Sequence, residues 1–158
     1  MDLQIKQIID IDEHALNTIT TWMYDWWAKG ENYSFEAFKC HMKHSLNSDR
    51  LPQTYGLFLN GNIIGMYQFV YEDSNVRPDI YPWLANLYID EKYRNMGYGR
   101  KLIESVEIMA RKNTNFKELF LYTKYIGLYE KFGWKFISEI DTYDEAPRIQ
   151  RLYKLDLK

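Results

Sequence analysis

The chain of 158 residues has few of the features that mark several protein classes. A single cysteine, Cys40, excludes an internal disulfide framework. The net charge is −2, so the chain lacks the excess of basic residues that is typical of a nucleic-acid-binding protein. The apolar runs are far shorter than the roughly 20 residues of a membrane span, and the N-terminus has no signal-peptide core. We therefore expect a cytoplasmic protein without nucleic-acid or membrane partners.

Glycine and proline are also sparse, at 8 and 4 residues, and they fall between periodic segments. No repeat, low-complexity tract or linker divides the chain, so we expect one domain over residues 1–158. Helices are predicted from Leu16 to Trp27, Phe35 to Leu46, Gly97 to Lys112 and Gly127 to Phe132. Strands are predicted at Leu3–Ile8, Tyr55–Leu59, Ile63–Tyr71, Trp83–Ile89, Leu119–Thr123, Trp134–Ile140 and Ile149–Leu157.

The resulting order is β-α-α-β-β-β-α-β-α-β-β, which predicts an α+β fold. Asp10 or Asp12 is the expected cap of the first helix, and Asn60-Gly61 is a strong hairpin signal. Gly133 is expected to end the last short helix in a left-handed conformation. We expect a mixed, mostly antiparallel central sheet flanked by helices.

The segment Arg94-Asn95-Met96-Gly97-Tyr98-Gly99 follows a strand and opens a helix. A helix N-terminus presents unpaired N–H groups, and glycine lets a ligand approach the backbone, so this is a candidate phosphate site. Gly-x-Gly alone is more often only a tight turn. The dinucleotide-binding fingerprint fails because Leu102 stands where a third glycine is required, and no P-loop lysine follows.

Two motifs in register point to a known family. Arg94–Gly99 resembles the Gln/Arg-x-x-Gly-x-Gly/Ala signature of the GNAT superfamily of acyl-CoA N-acyltransferases. Leu128-Tyr129-Glu130-Lys131-Phe132-Gly133-Trp134 resembles the Tyr-Glu-Lys-x-Gly-Phe segment of the same family, one helix and one strand downstream. The order of elements matches almost end to end. The resemblance implies a GNAT-like fold and a metal-free N-acetyltransferase that moves acetyl from acetyl-CoA to an amine.

The resemblance also implies roles for individual residues. Backbone N–H groups around the Gly-x-Gly would hold the CoA pyrophosphate, and the preceding strand would pair with the pantetheine arm and splay from the next strand. An N–H near Leu87 would stabilise the oxyanion, and the Tyr129 phenol would protonate the departing thiolate. The residues assigned to acetyl-CoA are Leu87, Tyr88, Ile89, Arg94, Asn95, Met96, Gly97, Tyr98, Gly99 and Arg100.

The general base is not given by the motifs. Many relatives carry a glutamate near the position of Trp83, but the strand Trp83–Ile89 has no carboxylate. Glu72 and Asp73 are the preferred substitutes. Asp79, Asp144 and Glu145 come next, and a water chain to backbone carbonyls is an equal alternative.

Aromatic residues crowd the first helix, which borders the acceptor site in this family. Trp22 and Trp26 share one helix face, whereas Met23 and Trp27 share another. One set is expected in the core and the other at the acceptor site or at the interface of a homodimer. The residues assigned to the acceptor are Trp22, Trp26, Tyr33 and Trp83. Cys40 and His44 have a spacing compatible with a metal, but no further ligand supports one.

A small-molecule amine is the favoured acceptor, because carboxylates in the connecting loops suit a cation. The alternatives are a protein acceptor, either an N-terminus or a lysine, and a regulatory module that binds acyl-CoA without turnover.

Overall fold

The computed structural model describes residues 1–158 and confirms the predicted order of elements. The strands are β1 Leu3–Ile8, β2 Gln53–Leu59, β3 Asn62–Val70, β4 Trp83–Ile89, β5 Glu118–Thr123, β6 Lys135–Asp141 and β7 Ile149–Asp156. The helices are α1 Glu13–Met23, α2 Phe35–Lys43 and α3 Tyr98–Asn113. A π-helical turn, Tyr24–Ala28, continues α1, and single 3₁₀ turns occupy Lys29–Glu31, Glu91–Tyr93 and Tyr129–Phe132.

The strands form one seven-stranded sheet in the order β1-β2-β3-β4-β5-β7-β6. Four neighbouring pairs, β1 with β2, β2 with β3, β5 with β7 and β6 with β7, are antiparallel. β4 and β5 run parallel, with Trp83 opposite Phe120. The expected mixed, mostly antiparallel sheet is therefore confirmed. No helix combines the length and the apolar character needed to cross a bilayer.

Local chemistry explains where the elements begin and end. Asp12, not Asp10, caps α1, since its carboxylate accepts a hydrogen bond of 2.8 Å from the Ala15 N–H. The β2–β3 turn has φ of 50° at Asn60 and 84° at Gly61, as a type I′ hairpin requires. Gly133 has φ of 89°, as predicted for the end of the short helix.

The predicted helix from Gly127 to Phe132 is shorter than expected, because Gly127 has φ of 85° and cannot continue a right-handed helix. Only the 3₁₀ turn Tyr129–Phe132 forms. The second predicted helix also ends early, at Lys43 rather than Leu46.

The chain divides into two compact units. The first comprises Met1–Phe69 and Asn86–Leu102, and its core packs α1 and α2 with the first strands. The second comprises Val70–Ala85 and Ile103–Lys158. Its apolar cluster includes Ile80, Trp83, Ile140 and Leu152.

Candidate active site

The segment Arg94–Gly99, called the anion loop below, joins the turn Glu91–Tyr93 to α3. Asn95 and Gly97 have left-handed φ values of 63° and 86°, on either side of the exposed Met96. Backbone that alternates in this way turns successive N–H groups toward one side and forms a concave site for anions. The first turn of α3 adds further N–H groups that lack helical partners. The loop therefore has the backbone geometry expected of a pyrophosphate site.

The two glycines of the anion loop differ in what the chain demands of them. Gly97 has a left-handed φ of 86°, which disfavours any residue with a side chain. Gly99 has no such φ, and a Cβ built on it meets no atom within 4 Å. Neither the backbone nor the packing of the chain demands glycine at position 99. A glycine at this position leaves the backbone open to close approach by a ligand.

The side chain of Arg94 fixes the corner between β4 and the anion loop. Its Nε donates a hydrogen bond of 2.8 Å to the Ile89 carbonyl. Its guanidinium lies 5.0 Å from the ring centroid of Tyr88, within the range of a cation–π contact. The rings of Tyr93 and Tyr98 meet edge to face across the loop, with centroids 6.4 Å apart. These contacts orient the loop before any ligand binds.

Asn86 interrupts β4 immediately before Leu87. Its φ of 58° is left-handed, which breaks the regular alternation of peptide directions within a strand. The Asn86 amide donates to the Gln68 side-chain carbonyl at 2.7 Å, and Gln68 in turn donates to the Thr54 hydroxyl at 3.0 Å. Gln68 and Thr54 are buried, so this polar chain anchors the interruption within the first unit. The sequence motifs do not point to Asn86, although asparagine inside an apolar strand is itself a signal for this conformation.

Three aromatic residues of the first unit, Trp22, Trp26 and Tyr88, form a group that we call the aromatic wall. The Tyr88 ring lies 5.3 Å from the Trp22 ring and 5.7 Å from the Trp26 ring, measured between centroids. Trp26 is 54% exposed and stands on the π-helical turn, a feature that is common at functional sites. The structure thus brings two predicted acceptor residues together with a predicted cofactor residue.

The other two predicted acceptor residues lie elsewhere. Tyr33 packs edge to face against Trp27 and Phe38 in the core of the first unit, where Met23 is fully buried. Trp83 is fully buried in the second unit, and its indole N–H donates to the Ile80 carbonyl at 2.8 Å. Trp83 therefore presents no surface to a ligand in this structure.

Tyr129 stands at the start of its 3₁₀ turn and is 9% exposed. Its ring packs against Trp134 and Tyr153, with centroid distances of 6.1 and 6.3 Å. Its hydroxyl has no partner in the chain and is not among the buried unpaired atoms, so it reaches the surface. Burial, followed by the Tyr125 phenol, raises the pKa of Tyr129 to about 12. The phenol is thus a neutral proton donor at physiological pH.

The structure distinguishes the two preferred base candidates. Glu72 is exposed, whereas the half-buried Asp73 accepts no hydrogen bond from the chain. Burial and the charge of Glu145 raise the pKa of Asp73 to about 7. Glu145 in turn accepts a hydrogen bond of 2.7 Å from the Tyr122 hydroxyl. A carboxyl group that titrates near neutrality suits a general base.

Another candidate base, Asp79, is held by an ion pair. Both its oxygens accept hydrogen bonds from Arg77, at 3.0 and 2.9 Å, and these lower the pKa of Asp79. The Cys40 sulfur lies 3.6 Å from the His44 ring nitrogen, but no group of three or more metal-ligating side chains is present.

Comparison with known proteins supports the motif assignment. A family model described as the acetyltransferase (GNAT) family matches residues 16–134. The spermine/spermidine N(1)-acetyltransferase of Bacillus subtilis is 26% identical over 106 residues, which cover 61% of this chain and 68% of that protein.

Solved structures share the fold over nearly the whole chain. A GNAT-family acetyltransferase from Streptococcus pneumoniae has a TM-score of 0.70 at 19% identity, covering 99% of this chain and 100% of that one. A spermidine N-acetyltransferase chimera from Vibrio cholerae has a TM-score of 0.74 at 13% identity, covering 98% and 96%. An aminoglycoside 6′-N-acetyltransferase complexed with coenzyme A has a TM-score of 0.72 at 10% identity, covering 98% and 97%.

The family model spans well over half of the chain, and the fold agrees with it along its length. The chain therefore belongs to the GNAT family of acetyltransferases, enzymes that use acetyl-CoA as the acyl donor.

Proposed function

We propose that this enzyme acetylates a small cationic amine of the polyamine type. The observation that carries this proposal is a pair of interacting carboxylates in the second unit, Asp73 and Glu145, of which Glu145 also accepts a hydrogen bond from the Tyr122 hydroxyl. Asp73 is half-buried and Glu145 is exposed, and a negative charge that is partly removed from solvent attracts an ammonium group more strongly than the same charge in open water. The similarity to a spermine/spermidine N(1)-acetyltransferase supports the same class of acceptor.

The loop that carries Asp73 has further features suited to an organic cation. It leaves β3 at Tyr71 and reaches β4 after Tyr81, and these two rings stack at 4.7 Å with an angle of 15° between their planes. Both rings are about half exposed, at 59% and 48%. Aromatic faces bind ammonium groups through cation–π attraction and contact the methylene segments between them. A flexible polyamine offers both kinds of group.

Asp73 is the proposed general base. A primary amine with a pKa near 10 arrives protonated and must lose a proton before its nitrogen can attack a thioester. Above a pH of about 7 the Asp73 carboxylate is ionised and accepts that proton. In this proposal the anion loop holds the pyrophosphate of acetyl-CoA, and an N–H near Leu87 stabilises the negative charge on the attacked carbonyl oxygen. Tyr129 donates its proton to the thiolate as the carbon–sulfur bond breaks.

The acceptor class is tested by the release of free CoA thiol from acetyl-CoA with spermidine, an aminoglycoside, a peptide with a free N-terminus and a peptide with an internal lysine. We expect kcat/KM to be highest for spermidine. Faster turnover of either peptide would replace the small-molecule proposal with a protein acceptor.

Asp73→Asn should lower kcat/KM for the amine by at least about tenfold, as expected from the loss of a positioned base. In the native enzyme kcat/KM should rise with pH and show an inflection near 7, the pKa of Asp73. The variant should lack this inflection. Glu72→Gln is the matched control, because Glu72 is the exposed neighbour of Asp73. A variant Asp73→Asn that keeps the native pH profile would exclude the base assignment.

Asp73 should also affect the pH dependence of stability. Its pKa rises from 3.8 to about 7 on folding, so the folded state binds the proton more tightly than the unfolded state. The contribution of Asp73 to the free energy of unfolding must therefore fall as the pH rises between these values. Relative to Asp73→Asn, the native protein should lose stability over this interval in thermal melts.

Trp26→Ala should raise KM for the amine by roughly three- to tenfold, the effect of losing one cation–π contact. Acetyl-CoA affinity should change by less than about threefold, and the protein should stay folded because Trp26 is 54% exposed. Trp27→Ala is an instructive contrast. Trp27 is partly buried and packs against the core of the first unit, so this change should cost about 3 kcal/mol of stability. Equal destabilisation by both changes would assign Trp26 to the core instead.

A further inference from the structure

Glu130, the residue after Tyr129, is exposed, but both oxygens of its carboxylate accept hydrogen bonds from the chain. One oxygen accepts a hydrogen bond of 3.1 Å from the Gly127 N–H, at the start of the loop that leads into the 3₁₀ turn. The other accepts a hydrogen bond of 2.9 Å from the Tyr153 hydroxyl on β7. The carboxylate thus links the start of the loop to the 3₁₀ turn and links the turn to β7 of the second unit.

Tyr153 contacts both Tyr129 and Glu130. It is fully buried, and its ring packs against the Tyr129 ring at 6.3 Å with an interplanar angle of 42°. Its hydroxyl accepts a hydrogen bond of 2.8 Å from Arg151 Nε while it donates to Glu130. The Arg151 guanidinium also lies 3.9 Å from the Glu130 carboxylate. The Tyr129 ring and the adjacent carboxylate therefore rest on the same buried side chain.

Glu130 is ionised at neutral pH. Burial by itself would raise its pKa, but hydrogen bonds from its own backbone N–H, Tyr153 and Gly127 bring the pKa below its usual value. An ionised carboxylate gives stronger hydrogen bonds than a neutral group and holds its donors in a narrower geometry. The lowered pKa means that these bonds persist through the pH range in which acetyl transfer is measured.

We propose that Glu130 and Tyr153 are positioning residues that hold the Tyr129 phenol in the orientation needed to protonate the leaving thiolate. This inference rests on the proposed acid role of Tyr129. Neither Glu130 nor Tyr153 exchanges a proton with the substrate. The proton passes from the Tyr129 hydroxyl to the thiolate sulfur as the carbon–sulfur bond breaks, and solvent then returns a proton to the phenolate. An error of about 1 Å in the placement of a catalytic group can cost up to a hundredfold in rate.

The test is a double-mutant cycle that combines Glu130→Gln and Tyr153→Phe, each separately, with Tyr129→Phe. Glu130→Gln and Tyr153→Phe should each lower kcat by roughly 10- to 100-fold, the cost of a misplaced catalytic group. KM for acetyl-CoA should stay within about threefold, since the interaction lost acts only in the transition state. In the Tyr129→Phe background neither change should lower kcat further, because the group that they position is gone. Glu118→Gln is the control and should leave kcat unchanged, because it removes a β5 carboxylate paired with Lys154, which lies on β7 next to Tyr153.

Three outcomes separate the hypotheses. A native kcat in Glu130→Gln and Tyr153→Phe, or losses that add fully to that of Tyr129→Phe, would overturn the positioning role and leave the acid role intact. A native kcat in Tyr129→Phe would overturn both. If Tyr153→Phe does not fold, Glu130→Gln alone completes the cycle, since an amide oxygen can still accept the Gly127 hydrogen bond.

Discussion

Replacing Gly99 by leucine is expected to abolish tight binding of acetyl-CoA while the protein stays folded. A leucine side chain would fill the space beside the anion loop and push the pyrophosphate away from the N–H groups at the start of α3. Losing two hydrogen bonds to a charged group costs roughly 3 kcal/mol or more. A cost of that size weakens binding by at least about a hundredfold.

The folded state should tolerate this change because nothing in the chain opposes it. A Cβ at Gly99 meets no atom within 4 Å, and Gly99 has an ordinary φ within the first turn of α3. Leucine has a higher helix propensity than glycine, so the melting temperature should be equal or higher. Gly97 is different, because its φ of 86° would make any substitution costly for folding as well as for binding. Gly99 is therefore the position at which binding and stability separate most clearly.

The measurement is the Kd for acetyl-CoA by titration calorimetry, together with the melting temperature with and without ligand. Gly30→Leu provides a matched control, because a Cβ there also meets nothing within 4 Å and its φ is ordinary. We expect native acetyl-CoA affinity in Gly30→Leu, a small loss in Gly99→Ala and a large loss in Gly99→Leu. Native affinity in Gly99→Leu would show that the pyrophosphate does not bind at the anion loop.

Tyr129→Phe is expected to lower kcat by about 10²- to 10⁴-fold, the usual contribution of a positioned acid. The substitution keeps the ring, whose contacts with Trp134 and Tyr153 hold it in place, and removes only a hydroxyl that has no partner in the chain. No buried donor or acceptor loses its hydrogen bond, so stability should change by less than about 1 kcal/mol. The effect should thus fall on catalysis alone.

The dependence on the leaving group strengthens this test. A thiol has a pKa near 8.5, and a thiolate of lower pKa departs more readily without a proton. The loss of rate in Tyr129→Phe should therefore shrink when acetyl-CoA is replaced by an acetyl thioester of a more acidic thiol. The affinity for acetyl-CoA should stay close to native, because the phenol acts on charge that develops in the transition state.

The decisive number is kcat at saturating amine, under conditions in which the chemical step limits turnover. A decrease in kcat of less than about threefold is far below the contribution of a positioned acid. It would mean that solvent protonates the thiolate and that Tyr129 has only a structural role.

Much of the fold was predictable because local signals agree with the tertiary structure. The Asn60-Gly61 hairpin, the cap before α1 and the end of the last turn at Gly133 all follow from residues whose conformations are set locally. The bounds of β4 are those predicted, since a short apolar run between polar segments leaves little choice. Local chemistry also explains why the predicted helix from Gly127 to Phe132 is shortened, since Gly127 adopts a left-handed φ.

The candidate site was less accessible to sequence reasoning, because its contacts join distant parts of the chain. Nothing in the sequence distinguishes Glu72 from Asp73, and only the fold places Asp73 where burial and Glu145 change its pKa. The link from Tyr153 to Glu130 spans 23 positions. Helical spacing did separate Trp22 and Trp26 from Trp27, but only the fold shows that Tyr88 joins the first two.

Internal competition tests the proposed acceptor most directly. Spermidine and a lysine-containing peptide with a free N-terminus are mixed at equal concentration with limiting acetyl-CoA, and the acetylated products are counted by mass spectrometry. The product ratio gives the ratio of the two kcat/KM values in a single reaction. If the carboxylates at Asp73 and Glu145 select a small cation, acetylspermidine should dominate, and Asp73→Asn should reduce that preference. Acetylation mainly of the peptide by the native enzyme would contradict a small-molecule acceptor.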